Sequence, residues 1–197
     1  MIMSTKSENM TENTIILEFD TQVYKEEDVD TFINETSQII QLKKQPFSTF
    51  AETGTAIIVL VVLSPLIYFT RGFFTKLGEM VAEEEKENAI KTYRFFKEKL
   101  IKLLRSSITK RTPTTTFKLK NKDTRFEITG SFTSDDENTI SVALDSIKEL
   151  SDLALEKLTK IQISSDDRVR IISFRFNSQN MNWEFDFAQT YSGEITR

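Results

Sequence analysis

The 197-residue chain contains no cysteine and no histidine. Those absences remove disulfides, thiolate nucleophiles, Cys/His zinc sites, imidazole general bases and histidine-based pH switching. Glycine is scarce at five residues, and neither a Walker A loop nor a GxGxxG pattern occurs, so little is available to cradle a phosphate from the backbone. A serine or threonine nucleophile has no imidazole to activate it. No catalytic residue and no cofactor site is therefore expected, and the chain is predicted not to be an enzyme. The lack of cysteine fits a reducing compartment.

What is present is contrast. In a chain that is 28% charged, the run Thr53 to Thr70 carries no charge at all and lies between Glu52 and Arg71. At about 1.5 Å per residue such a run spans roughly 27 Å as a helix, near the roughly 30 Å of a bilayer core. Each mid-bilayer Asp, Lys or Arg would cost on the order of 2.5–3.5 kcal/mol, which a charge-free run avoids. The run is accordingly predicted to be one transmembrane helix; a helix buried in a globular core is the alternative. Ser64-Pro65 would kink such a span, and Thr53, Ser64, Pro65 and Arg71 are its candidate membrane or pore residues. The flanks hold Lys43 and Lys44 on one side and Arg71, Lys76 and Lys86 on the other, which favours a single-pass topology with a cytoplasmic C-terminal part.

The remaining pattern predicts an α+β fold. A strand at Thr14 to Phe19 and a helix within Lys25 to Leu42 form an N-terminal strand-helix cap over 1–48. Pro46 ends that helix, and 49–72 is the span. A proline-free stretch rich in Glu, Lys, Ala and Leu predicts a long basic helical stalk over 73–112. Past Thr112-Pro113 the periodicity switches to strands, giving a C-terminal ββαββ domain over 113–197. Its hairpins turn at Asn121-Lys122-Asp123 and at Asn177 to Asn180. Its helix runs to Lys160, capped by Ser134 with Glu137 three residues on. The lone N-terminal strand needs a partner from the C-terminal half or another subunit, which points to a homo-oligomer.

Charge is also segregated. Residues 86–125 hold thirteen of the 26 basic residues against three acidic ones. Such a stretch attracts polyanions. Ordinary solvation, anionic lipid headgroups and the phosphates of single-stranded nucleic acid or an oligonucleotide remain open as its partners. The candidate ligand residues are Lys97, Lys99, Lys102, Arg105, Lys110, Arg111, Lys118, Lys120, Lys122 and Arg125. The acidic groups Asp135-Asp136-Glu137 and Asp166-Asp167 sit where helix capping and loop solvation account for them, so no metal site is expected.

A small strand-helix cap, one span at TGTAIIVLVVLSPLIYFTRGFFTKLGEM and an α+β module together resemble the small single-span membrane effectors of bacterial antiviral defence systems. The resemblance implies a non-enzymatic membrane effector or oligomeric channel subunit. It also implies regulation by a nucleotide or oligonucleotide, and a nucleotidyltransferase-type partner protein. The competing expectation is a membrane-tethered binding or scaffold module without conductance.

Overall fold

A computed structural model describes residues 14–37, 42–47, 55–63, 83–109, 112–121, 126–161 and 167–197. Among them are the strands β1 (Thr14–Asp20), β2 (Leu42–Phe47), β3 (Thr55–Leu63), β4 (Thr114–Asn121), β5 (Glu127–Thr133), β6 (Val169–Asn177), β7 (Asn182–Thr190) and β8 (Ile195–Thr196). The helices are α1 (Glu26–Thr36), α2 (Glu83–Arg105), α3 (Glu137–Ser146) and α4 (Glu149–Leu158). All eight strands join one sheet in the order β2-β1-β3-β4-β5-β6-β7-β8.

The α+β expectation holds, but the transmembrane helix does not. The charge-free run supplies β3, a central strand hydrogen-bonded to β1 on one side and β4 on the other. Among the described residues no helix is long and apolar enough to cross a membrane. The predicted single-pass localisation, and the membrane and ion-channel roles built on it, are corrected accordingly. The physical reason lies in the run itself. Most of Thr55–Leu63 is Thr, Ile or Val, which lose side-chain freedom in a helix and pack well on a pleated surface. A strand deep in a sheet reads as an unbroken apolar run, much as a buried helix does. The proposed pore residues Thr53, Ser64, Pro65 and Arg71 lie outside the described residues.

Two further expectations are corrected near the N-terminus. Leu42 and the Lys43–Pro46 stretch are not a helix end but strand β2, parallel to β1. The lone N-terminal strand finds its partners in β2 and β3, so it needs neither the C-terminal half nor a second subunit. The predicted hairpins are present as the antiparallel pairs β4–β5 and β6–β7.

All four helices cover one face of the sheet. A Cβ built on Gly130 would lie 2.5 Å from Leu150 of α4 and 3.1 Å from the ring of Trp183. Gly130 stands opposite Phe117, Phe117 opposite position 59, and 59 opposite Leu17 and so in line with Lys44. Lys44 in turn holds Glu26 and Asp30 of α1 at 2.8 and 2.5 Å. The helices then join laterally. The Phe32 ring of α1 packs 5.7 Å from Phe96 of α2, and the Tyr93 hydroxyl of α2 donates to the Leu144 carbonyl of α3 at 3.1 Å. Between these layers lie Phe19, Ile57, Leu100, Ile128, Phe132, Ile140, Leu150, Ile172 and Phe174, all essentially inaccessible. Each such side chain contributes on the order of 1.5–3 kcal/mol by leaving water.

The helix predicted to continue to Lys160 breaks into α3 and α4 at Ile147-Lys148. The Ser146 hydroxyl donates back to the Val142 carbonyl at 2.8 Å, and its oxygen accepts the Trp183 indole N–H at 3.0 Å. Such back-bonding competes with the helical ladder and bends it. The cap also differs from expectation. Asp136, not Ser134, is the N-cap, its carboxylate accepting from the Thr139 backbone N–H at 2.7 Å and hydroxyl at 2.8 Å. An aspartate cap one turn before the first buried apolar residue meets the same need as the predicted serine.

Candidate functional site at the helix-free sheet face

Alternation along a strand sends successive side chains to opposite faces. With Phe117, Leu119 and Gly130 turned to the helices, Lys118 and Lys120 of β4 and Thr129 and Ser131 of β5 belong to the other face. The register extends the rows across the sheet. Thr116, Ser131, Arg175 and Glu184 form one row; Lys118, Thr129, Ser173 and Phe187 form the next; Lys120, Glu127, Ile171 and Gln189 form a third. Among the described residues no element packs on this face. Over β4 to β7 it is rich in hydroxyls, with Lys118 and Lys120 on β4, where the register continues to positions 60 and 62 of β3, and the Phe187 ring on β7.

Two of its small side chains are buried. Thr116 and Ser173 are 7% and 4% exposed although no described helix covers them. Lys118 and Lys120 are half-buried, and neither makes an ion pair among the described residues. Glu127 stands opposite Lys120 in register and accepts the Thr129 hydroxyl at 3.2 Å. Arg175 reaches Asp186 at 3.4 Å. Two lysines with no ion pair among the described residues, two residues apart on one strand, therefore sit about 7 Å from each other, Lys118 beside Thr129 and Lys120 beside Glu127.

The basic stretch of the sequence does not form one surface. Its α2 members lie on the helical side and are largely engaged: Lys97 meets Asp145 at 2.6 Å, Lys99 meets Glu35 at 3.2 Å, and Arg105 pairs with Glu137. Lys99 also stands over the Phe95 ring at 5.2 Å. Lys102 is exposed and lines a shallow groove of about 290 Å³ with Glu98, Ile101, Arg105, Ser106 and Glu137. Lys118 and Lys120 are on the opposite side of the molecule from these. Lys110, Arg111, Lys122 and Arg125 lie outside the described residues. Linear clustering of cations hid this division, because α2 and β4 present their charges to opposite sides of a two-layer fold.

Four groups that sequence reasoning did not single out complete the helix-free face: Thr129, Ser131, Ser173 and Phe187. For Thr129, Ser131 and Ser173 the signal was the period-two alternation of β5 and β6, legible only once the face toward the helices was known; Phe187 reaches this face through the bulge at Asp186, which breaks the alternation running from Trp183 and Phe185. The sequence also holds a Ser-x-x-Lys stretch at Ser107 to Lys110. There the Ser107 and Thr109 hydroxyls lie 3.0 Å apart, and Lys110 lies outside the described residues.

Acidic residues act locally. The Thr139 backbone N–H and hydroxyl hold the Asp136 carboxyl below its usual range. The Ser192 hydroxyl, then that of Thr190, lowers Asp167 to about 2. Among the described residues no group of three or more potential ligands is placed to hold a metal ion. Burial raises the phenols of Tyr24 and Tyr93, with Asp145 adding to the effect at Tyr93; the Tyr24 hydroxyl donates to the Leu104 carbonyl at 3.3 Å, fastening the β1–α1 corner to α2.

No family model matches the chain, and neither a curated protein nor a solved structure is found to be similar to it. What the fold defines is an α+β domain with a mixed sheet covered by helices on one face.

Proposed function

We propose that the chain is a non-enzymatic binding module whose helix-free sheet face receives a single-stranded oligonucleotide. The observation that carries this proposal is the pair Lys118 and Lys120, which make no ion pair among the described residues and lie on a face that no described element covers. Phosphates would lie along the lysine pair of β4, where ammonium groups act as point charges. The hydroxyls of Thr129 and Ser131, both partly exposed, offer hydrogen-bonding groups to sugars and base edges. The Phe187 ring, on the row of Lys118, offers a surface for base stacking, worth about 1–3 kcal/mol per base in single-strand binders. The absence of histidine and cysteine from the whole chain supports binding over catalysis.

The test is fluorescence anisotropy of a labelled fifteen-nucleotide oligothymidylate titrated with the full chain at several salt concentrations. Two phosphate contacts give a log–log salt slope near −1.4, at about −0.7 per contact. Lys118→Glu with Lys120→Glu is expected to abolish binding, whereas Lys102→Glu on the helical side leaves it unchanged. Equal binding by the Lys118→Glu/Lys120→Glu protein, or no binding by the unaltered chain at low salt, removes the proposal.

A further inference from the structure

The two edges of the sheet are not equally closed. At one edge, β2 exposes Lys43, Lys44, Gln45 and Pro46. Pro46 has no N–H to donate, and Lys44 is tied back to α1 by Glu26 and Asp30. Lysines and proline on an edge strand are the usual guards against further pairing. At the other edge, β7 is nine residues long, but β8 pairs with only Ala188 and Gln189. Among the described residues no strand lies on the outer side of Asn182 to Phe187, whose inner side is paired with β6. Alternate backbone N–H and C=O groups of those six residues therefore face outward without a strand to receive them.

We propose that this vacant length of β7 is a docking edge for an extended, basic peptide segment, added as a further strand. The charge on the rim selects the occupant. Glu184 is exposed and accepts from the Asn177 side-chain amide at 2.8 Å. Asp186 stands in a bulge, since Ser173 pairs with Phe187 while Phe174 pairs with Phe185. Its only ion-pair partner among the described residues, Arg175, is 71% exposed. An incoming strand thus meets two carboxylates on one side and, on the other, the half-buried Phe185 ring with Lys157 5.0 Å above it. Basic and apolar residues in alternation match that sequence of neighbours, and main-chain hydrogen bonds supply the common part of the affinity.

A second copy of the chain fits poorly. An antiparallel pairing of β7 with itself centred on Phe185 sets Glu184 of each copy directly against Asp186 of the other, and like charges in that position repel. The bulge increases local twist, which further disfavours a long flat pairing between copies while leaving room for a short peptide.

The experiment uses the full chain and a seven-residue peptide of alternating lysine and valine, followed by amide hydrogen exchange. Peptide binding is expected to slow exchange at 182–187 by about tenfold or more, since only amides captured in a ladder gain protection. The same peptide N-methylated at alternate backbone nitrogens is expected to give no protection. Glu184→Lys is expected to weaken the peptide about threefold, the effect of one cross-strand charge pair, and Asp186→Lys to do likewise. Three results overturn the proposal. One is the absence of protection at 182–187, and another is equal binding of the N-methylated peptide. The third is protection at these residues that rises with protein concentration alone, which assigns the edge to self-pairing.

Discussion

Individual polar side chains fix the corners of this molecule. Ser146 links α3 to the Trp183 indole, Tyr24 links the β1–α1 corner to α2, and Asp167 gathers the 190–194 turn by accepting from the Ser192 hydroxyl. Because Asp167 is held at about 2, below the roughly 3.9 of a free aspartate, the folded state binds its proton less readily than the unfolded chain does. Its stabilisation is then fully present above about pH 4–5 and is lost as the pH falls toward 2. The thermal midpoint, measured by circular dichroism, is expected to fall across that window. Asp167→Asn is expected to lower the midpoint at pH 7 while making the acid decline shallower; an unchanged acid slope would exclude the carboxylate from it. Little of this was legible beforehand. Ser134 and Asp136 are both good caps by composition, and only the local backbone decides between them.

At the scale of elements, the short strands with turn residues between them were readable, and so were the stripes of α3 and α4, since alternation and helical period survive in the letters. The Thr55–Leu63 strand was not. A fully flanked strand erases the alternation that distinguishes sheet from helix, and chain length alone then favours the wrong element. Gly130 shows a converse case, where one small residue marks a close approach that the sequence states without explaining. The facing Leu150 methyl and Trp183 ring leave no space for a Cβ, so α4 lies directly on β5. Gly130→Ala is expected to force that helix outward and destabilise the fold by about 1–3 kcal/mol, read as a lower urea midpoint with an unchanged slope. Gly130→Ala at wild-type stability would show that Leu150 swings aside without cost.

On the whole-molecule scale, the N-terminal and C-terminal halves are fused through the parallel pairing of β3 with β4, from Thr55 opposite Thr114 to Leu63 opposite Asn121. Helix α2 reinforces the seam, with Tyr24 on one side of it and Tyr93 bonded to α3 on the other. Both halves are expected to unfold together. Trp183 fluorescence, which reports the C-terminal half, and exchange of the β1 amides, which reports the N-terminal half, should give the same free energy of unfolding. Clearly separate values would make them independent folding units. The same seam has a consequence for biosynthesis. Strand β3 leaves the ribosome well before its partner, because residues 64–113 intervene, and at about 5–20 residues per second that interval is roughly 3–10 s. For those seconds the most apolar strand of the protein has one flank unoccupied in a crowded cell. Nascent-chain chaperones are therefore expected to be recruited most strongly to chains arrested between β3 and β4, and to release them once β4 has emerged.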